Sequence, residues 1–475
     1  MLGPRKATAL VLAATVIAVL CDTLLQGVSW GVNIGILTVI VAGLIAWLSK
    51  RTPLQLTDSG QKFGVLAIVF ALLFSVRDSN ALKIANGLAL VLCWGGMLLP
   101  LTVGRLKEAY LGNLLLGSFR QLFGLPKEVF DLGRKTVAER KEVTGNSQRG
   151  KSILRGLLIA VPLLLVFGGL FASADAIFRS RAASLLSIDL DAESINGHFW
   201  TLLFGFMIAG GLLHRLILTE ARSNVAVDRL VKGNSVGMIE VGIVLGSLNL
   251  LFASFIAIQF RYLFGAESMV KATTGLSYSE YARSGFFELV WVAALALGVL
   301  LGAEALLKKE GEREVKVYQW MGRGLVAMVF CVVGSAVLRM KLYTDQFGLT
   351  ELRVYSTVFM IWLTLALGWL LFTTLNRRPQ RFAFGTMLSG LMVIFGTNWI
   401  DPDALIVRTN LSKPGTDFAY LATLSDDAVL ALRRMGDTVP AVHREETDAL
   451  IKRRRAGVAD SDWREMNLSR SLLLR

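Results

Sequence analysis

Long apolar runs dominate this sequence and decide what the chain can fold into. A membrane-spanning helix needs about 20 mostly apolar residues, and eleven segments meet or nearly meet that length. They cover about residues 7–26, 30–48, 62–76, 81–103, 152–173, 198–219, 237–260, 286–307, 320–338, 354–375 and 382–399. None alternates with the period of a barrel strand, so helices are the expected spanning form. The sequence predicts an all-α fold, a polytopic transmembrane helix bundle of about 11 spans with a C-terminal extramembrane helical tail.

The composition supports a membrane protein and argues against a nucleic-acid binder. Hydrophobic residues make up 54% of the 475 residues and charged residues only 18%, which is too little charge to cover a soluble protein of this length. The formal net charge is +14, but the basic residues fall in the gaps between the apolar runs. Such placement is typical of loops that set membrane topology. We therefore expect the lipid bilayer as a partner and no nucleic acid.

The basic residues also predict the orientation of the chain. With the N-terminus in the cytoplasm, the connections on that side hold 26 Lys and Arg residues, and those on the opposite side hold 10. Cytoplasmic loops carry the excess of positive charge. Eleven spans then place the tail outside.

The spans and loops divide the chain into four expected parts. The long cytoplasmic connection mixes apolar positions with basic ones, as an interfacial helix does, and it either lies on anionic lipid or docks a cytosolic partner. The parts are an N-terminal four-span segment (1–103), a basic cytoplasmic loop with an interfacial helix (104–151), a seven-span core bundle (152–399) and an extracytoplasmic helical tail (400–475).

The tail contains one clear helix signal. Ser425, followed by two aspartates, is a plausible helix start, and Ala428, Val429 and Leu432 form an apolar face at helical spacing. We expect a short amphipathic helix there, docked on the outer end of the bundle. The last stretch, 444–475, is basic and helix-prone without an obvious core.

The sequence contains no convincing motif for binding a metal or a cofactor. Residues 145–152 satisfy the phosphate-loop pattern, but a charged run precedes them and an apolar span follows, so the match is attributed to chance. The three cysteines lie inside apolar runs and the three histidines are scattered. We therefore predict no catalytic residue, no cofactor and no metal.

A polar stripe runs along the span at 237–260. Glu240, Ser247, Ser254 and Arg261 follow each other at intervals of seven, nearly two helical turns, so they share one slowly drifting face. Charged groups at membrane depth are costly and mark pathways or sites by default.

Further ionisable and aromatic residues collect at the span ends assigned to the outer face. These residues either pair to hold helix ends together or form a functional outer pocket, and both interpretations stay open. The candidates for this outer polar cluster are Asp22, Asp78, Asp175, Gln259, Arg261, Tyr278, Glu280, Tyr281, Arg283, Glu288, Arg339, Tyr343, Asp345, Glu351, Arg353 and Asp403.

Several of these residues lie in stretches that carry a family likeness. The chain resembles the bacterial multipass membrane proteins catalogued as domain of unknown function 4153/4173. The matching stretches are FASADAIF (171–178), QFRYLFG (259–265), YSEYARSGFFEL (278–289), LYTDQFGLTELRVY (342–355), DPDALIVRTNL (401–411) and DFAYLATLSDDAV (417–429). Two positions depart from the expected pattern, with Ser284 in place of Arg and Asp401 in place of Asn. The resemblance implies a protein of the bacterial inner membrane, and it indicates no reaction and no ligand.

Three classes of function fit these observations. The first is a transporter with a polar vestibule at the outer face, and the second is a non-catalytic sensor or scaffold that engages envelope or cytosolic partners. The third is an envelope enzyme that acts on a lipid-linked substrate at the outer face. Its acid or base would be one of Glu280, Glu288, Asp345 and Asp403. The absence of a catalytic constellation favours a non-enzymatic protein.

Overall fold

The described part of the chain folds into helices. The structure, a computed structural model, describes residues 4–49, 57–98, 192–218, 237–263, 286–307, 311–413 and 416–475. The α-helices of these residues, numbered in chain order, are α1 (Pro4–Leu25), α2 (Val32–Ser49), α3 (Asp58–Leu73), α4 (Asn80–Leu98), α5 (Ala192–Leu218), α6 (Met238–Leu263), α7 (Phe286–Leu306), α8 (Glu312–Phe347), α9 (Glu351–Phe372), α10 (Gln380–Ile400), α11 (Pro402–Leu411), α12 (Phe418–Thr423), α13 (Asp426–Met435), α14 (Arg444–Ala459) and α15 (Leu468–Leu474).

The predicted all-α class is confirmed, and α1–α10 lie on the predicted spans that fall within the described residues. Five of these helices are long and apolar enough to cross a membrane by length and composition, namely α6 to α10. Shorter apolar stretches lie in α1, α2 and α5. The predicted span 152–173 and the loop 104–151 lie outside the described residues, so the number of eleven spans stays a prediction.

Helix α8 is much longer than its predicted span. It runs for 36 residues, about 54 Å at 1.5 Å per residue, whereas a hydrocarbon core is about 30 Å thick. The apolar window predicted only 320–338, because the charged turns at both ends are helical but polar. The helix ends at Gly348, whose φ of 74° places it in the left-handed region. A Cβ at this position would also lie 2.5 Å from Asn410 Oδ1. Both the backbone conformation and the close approach of Asn410 therefore favour glycine here.

Two apolar cores hold α1–α10 together as the helix bundle. The first core is formed by α1 to α5 with α10, and the second by α6 to α9. Helix α10 joins them, because Phe382 packs in the second core while Ala383 and Met387 pack in the first. Large apolar side chains such as Leu250 and Trp291 face outward and are exposed, as expected of a surface that meets lipid.

Residues 401–475 form a compact C-terminal module. Ser425 caps α13 by accepting a hydrogen bond from Asp427 N, which confirms the predicted helix start. Ala428, Val429 and Leu432 are buried, as its apolar face requires. The sequence of the segment 444–475 shows no obvious hydrophobic core. In the structure this segment packs around a small core of its own, in which Val429 of α13 contacts residues of α14 and α15.

The C-terminal module packs against one end of the helix bundle. Backbone hydrogen bonds cross this contact from Val32 N to Met466 O (2.9 Å) and from Leu468 N to Ser75 O (2.7 Å). Asn410 binds both backbone groups of Leu349, donating to its carbonyl (2.8 Å) and accepting from its amide (2.6 Å). The connections α1–α2, α3–α4 and α8–α9 therefore meet the module at the same end, called here the docking end.

No separate linker joins the helix bundle to the C-terminal module. Asp401 ends α10 and also caps α11, where its side chain accepts a hydrogen bond from Ala404 N (3.2 Å). Its φ of 60° is in the left-handed region, which Asp tolerates better than most residues. One residue therefore turns the chain from the last bundle helix into the module.

Candidate functional site

A group of buried charges fills the contact between the bundle and the C-terminal module at the docking end. Its centre is a set of four carboxylates, one from the bundle and three from the module. Asp78 and Asp427 accept hydrogen bonds from the opposite side of the contact, whereas Asp403 and Asp426 bind partners within the module. We call this group the docking cluster, and it consists of Asp78, Lys83, Asp403, Ser425, Asp426, Asp427, Arg454, Asn467, Ser469 and Arg470.

Asp78 is the bundle's carboxylate in this cluster. It lies in the short connection between α3 and α4 and is 6% exposed. Its Oδ1 accepts from Lys83 Nζ (2.9 Å) and from Asn467 Nδ2 (2.9 Å), and it forms an ion pair with Arg470, whose Nε lies 3.2 Å away. Burial alone would raise the pKa of Asp78, but the charges of Lys83 and Arg470 hold it below its ordinary value. This carboxylate is therefore ionised and joins α4 to the end of the chain.

Asp427 makes the reciprocal contact from the module. Its Oδ2 accepts from the backbone amides of Asp78 (2.7 Å) and Ser79 (3.0 Å), and its Oδ1 accepts from the Ser469 hydroxyl. In return, the amide of Asp426 donates to Asp78 Oδ2 (3.2 Å). Burial, together with the charge of Asp401, raises the pKa of Asp427 to about 6 despite these hydrogen bonds.

Asp426 connects three helices of the module. Arg470 Nε on α15 donates to its Oδ2 (3.0 Å), and Arg454 Nη1 on α14 approaches its Oδ1 at 3.4 Å. Arg454 also donates to the carbonyl of Leu424 (2.9 Å), which fixes the turn before α13. Because Arg470 also pairs with Asp78, it links the internal packing of the module to the docking contact.

Asp403 is the fully buried carboxyl of the group, with 0% exposure. Its Oδ2 accepts from the hydroxyl and the amide of Ser425, whereas its Oδ1 has no hydrogen-bond partner within the described part of the chain. Burial, followed by the charges of Glu351 and Asp427, raises the pKa of Asp403 to about 7. A proton therefore binds or leaves this carboxyl near neutral pH.

A second polar contact fixes the last bundle helix next to the docking cluster. Arg77 pairs with the Asp401 carboxylate and donates from Nε to the Asn398 carbonyl (2.9 Å). The side-chain amides of Asn398 and Asn86 donate to each other at 2.8 and 2.9 Å. These buried bonds fasten α10 to α4 and hold the start of the module in place.

The structure brings together only part of the predicted outer polar cluster. Asp78 and Asp403 enter the docking cluster, and Glu351 lies beside Asp403, near enough to raise its pKa. Asp22 instead pairs with His198 Nδ1 (2.9 Å) between α1 and α5.

Other predicted residues lie along α8 and α9. The Arg353 guanidinium stacks on the Tyr343 ring (4.0 Å to the centroid) and donates to the Phe347 carbonyl (3.1 Å). The Asp345 carbonyl accepts from Lys413 Nζ (2.6 Å), and Arg339 is buried within α8. Gln259 and Arg261 lie in α6 and Glu288 in α7. Asp175, Tyr278, Glu280, Tyr281 and Arg283 lie outside the described residues.

The predicted polar stripe lies on the outer surface of α6. Glu240, Ser247 and Ser254 are all exposed, which agrees with a shared helix face. The hydroxyls of Ser247 and Ser254 donate to carbonyls of their own helix. The polar contact into the bundle comes instead from Asn249, whose Nδ2 donates to the Met321 carbonyl of α8 (3.2 Å).

Sequence reasoning missed most of the docking cluster. The sequence indicates the two aspartates after Ser425 only as part of a helix start, and it gives no sign that Lys83 binds a carboxylate. The partners Asn467, Ser469 and Arg470 lie in a stretch whose sequence resembles a solvated basic tail. One feature of the sequence does indicate the cluster. Helix α13, which has an apolar face, begins with two adjacent aspartates, and this is more negative charge than a helix start needs.

Among the described residues, no group of three His, Cys, Asp or Glu side chains could hold a metal ion. The carboxylates of Asp78, Asp426 and Asp427 are already bonded to protein donors. The site is thus suited to binding two parts of one chain together, with one proton-binding carboxyl inside.

Comparison with known proteins gives one match. A family model described as a domain of unknown function (DUF4153) matches residues 64–435. The match includes all four aspartates of the docking cluster but ends before Arg454, Asn467, Ser469 and Arg470. No curated protein and no solved structure matches the chain.

Proposed function

Because the chain belongs to the DUF4153 family, whose description assigns no activity, we propose from the geometry that it is a non-enzymatic scaffold or sensor of the bacterial inner membrane. Its C-terminal module is held at the outer face of the membrane by the docking cluster. The observation that carries the proposal is that buried carboxylates from both sides of the contact are bonded across it. Such a contact fixes a folded module at the membrane surface, where envelope partners can reach it.

The distribution of basic residues supports the outer location. The connections expected on the cytoplasmic side hold 26 Lys and Arg residues against 10 on the other side. The module contacts the side poor in basic residues. Its own basic residues do not oppose this placement, because long tails cross membranes largely regardless of charge.

Transport receives less support than scaffolding. A transport pathway needs polar groups that continue through the bundle. The described part of the predicted stripe, Glu240 to Ser254, instead faces outward on α6, and its serines are satisfied within their own helix.

An enzyme is the second candidate, and Asp403 is the observation that favours it. A carboxyl with a pKa near 7 and a free Oδ1 has the properties of a general acid or base. Its exposure of 0% argues the other way, because a substrate would reach it only after the module had moved. We therefore assign Asp403 to the packing of the contact and not to catalysis.

Substituting Gly31 tests the proposed function by weakening the docking contact without touching any charge. A Cβ on Gly31 would lie 2.5 Å from the backbone of Glu465, so Gly31→Ala should force the module away and cost about 1–3 kcal/mol. Hydrogen exchange of the amides of Val32 and Leu468, which bond across the contact, measures the loss. The variant should also fail to restore function in cells that lack the wild-type protein.

Two further variants complete this experiment. Gly43→Ala adds the same methyl group within α2 where nothing lies within 4 Å, so it should preserve both docking and function. Asp403→Asn removes the acid–base group and should preserve function at neutral pH. An inactive Asp403→Asn protein with a protected module would show that the enzyme is the correct candidate instead.

Thiol labelling tests the sidedness. Val442 in the module is 83% exposed, and Glu312 at the other end of α8 has a side chain 77% exposed. In a background lacking Cys21, Cys93 and Cys331, an impermeant thiol reagent should label Val442→Cys but not Glu312→Cys in intact cells. Labelling of Glu312→Cys alone would invert the topology.

A further inference from the structure

A cleft lies beside the docking cluster on the outer surface of the bundle. It is an open cleft with a volume of about 430 Å³, lined by Val28, Ser29, Trp30, Asn80, Lys83 and Ile84. One wall is the α1–α2 connection and the other is the first turn of α4. The lining therefore combines polar groups with one cation, an indole and two aliphatic side chains, the mixture typical of small-ligand sites.

Lys83 supplies a cation with unused donors. Its side chain is 8% exposed, and among the described residues its ammonium donates one hydrogen bond, to Asp78 Oδ1 at 2.9 Å. An ammonium has three donors, so two remain for a ligand. Asp78 is also bonded by Arg470, so Lys83 does not have this carboxylate to itself. An anionic oxygen in the cleft would complete the coordination of a cation that is otherwise costly to bury.

An apolar track leads away from the same cleft. Ile84 is 68% exposed, and Leu88, one turn further along α4, is also exposed on that face. The half-exposed Trp30 ring packs edge-on to Phe74 at 5.9 Å and lies over Gly87. Tryptophan at this level is characteristic of the boundary between hydrocarbon and headgroups. The cleft thus has a cationic end and an apolar end in the order that a lipid presents its phosphate and its chain.

We propose that this cleft binds the phosphate of an anionic phospholipid, with Lys83 and Asn80 contacting the headgroup while the acyl chain lies along Ile84 and Leu88. A basic pocket at a membrane surface is a recurrent form of lipid recognition. The site goes beyond the proposed scaffold role, and because its test measures lipid binding directly, it can fail or succeed independently of that role.

Asn80 offers the cleanest test, because it lines the cleft and is not part of the docking cluster. It is the first residue of α4, where an aspartate is favourable for the helix. Asn80→Asp should therefore fold normally while placing a negative charge beside the headgroup. The detergent-solubilised full chain would be titrated with dioctanoyl phosphatidylglycerol and dioctanoyl phosphatidylcholine, and bound lipid would be counted by native mass spectrometry.

We expect phosphatidylglycerol to bind about fivefold more tightly than phosphatidylcholine, and Asn80→Asp to remove this preference. The neutral control Asn80→Ser should retain it. Equal binding of the two lipids, or equal behaviour of the two variants, would overturn the proposal. Inorganic phosphate should not displace the lipid at millimolar concentration, since displacement would assign the cleft to a free anion instead.

Discussion

Replacing Asp78 with alanine is expected to release the C-terminal module from the bundle. The substitution removes the carboxylate that accepts from Lys83 and Asn467 and pairs with Arg470, and it leaves the ammonium of Lys83 buried without its counter-charge. Removing one partner of a buried ion pair costs about 3–5 kcal/mol. Because one contact surface holds the module to the bundle, the module should then detach from the bundle far more often. Hydrogen exchange of the Leu468 amide, which bonds to Ser75 across the contact, would report the change.

The matched control for Asp78→Ala removes a carboxylate from a solvent-exposed ion pair. Glu312 lies 3.8 Å from Lys316 and 3.7 Å from Arg377, and its side chain is 77% exposed. Exposed pairs of this kind contribute little, so Glu312→Ala should leave exchange at the docking end unchanged. An Asp78→Ala protein that keeps the Leu468 amide protected would mean that backbone bonds and apolar packing alone hold the module.

Raising the pH should destabilise the C-terminal module across the neutral range. The folded module keeps a proton on Asp403 up to a pKa of about 7, whereas the unfolded chain releases it near the ordinary value of 3.8. The folded state thus binds more protons between these values, and its free energy of unfolding falls as the pH rises between them. For Asp403 the loss amounts to about 3 kcal/mol between pH 5 and pH 8.

The groups around Asp403 act in the same direction. Glu351 on α9 and Asp427 on α13 are the charges that face it, and both oppose its ionisation. Asp427, whose pKa is raised from 3.8 to about 6, adds its own loss of stability as the pH rises between these two values. Asp78 has a lowered pKa and therefore the opposite effect. Its ionised carboxylate stabilises the folded module, and this contribution is lost only when the pH falls below the ordinary aspartate pKa of 3.8.

Unfolding of the module, followed by a dye on Val442→Cys at several pH values, measures this dependence. Asp403→Asn cannot ionise, so its stability should change much less between pH 6 and pH 8 than that of the wild type. Equal slopes in the two proteins would remove Asp403 as the cause. A wild-type module that gains stability from pH 5 to pH 8 would contradict the assigned sign.

The sequence predicted features that depend on local pattern. Apolar length predicted the bundle helices, and Ser425 with the spacing of Ala428 and Leu432 predicted α13. Topology alone placed Asp78 and Asp403 at the same end of the bundle, because both follow spans that end on the same side. Each of these inferences uses residues close together in the chain or a rule that applies to every loop.

The missed features depend on contacts between distant residues. Asn467 binds Asp78 from 389 positions away, and no periodicity predicts such a pair. The small core of Val429, Val458 and Leu473 spreads over three helices, so no single stretch of the module looks apolar. Helix α8 exceeds its predicted span because hydropathy detects the part inside lipid and not the continuation of the helix into water.

The shared residue Asp401 has a mechanical consequence. A flexible linker would absorb any change in the inclination of the last bundle helix, but here α10 passes directly into α11 at one left-handed residue. Transmembrane helices tilt to match the thickness of the surrounding bilayer. A change in the tilt of α10 would therefore be transmitted through Asp401 to α11, with no linker between them to absorb it. Because the module is also bonded to the connection between α3 and α4, such a tilt would act as strain on the docking cluster.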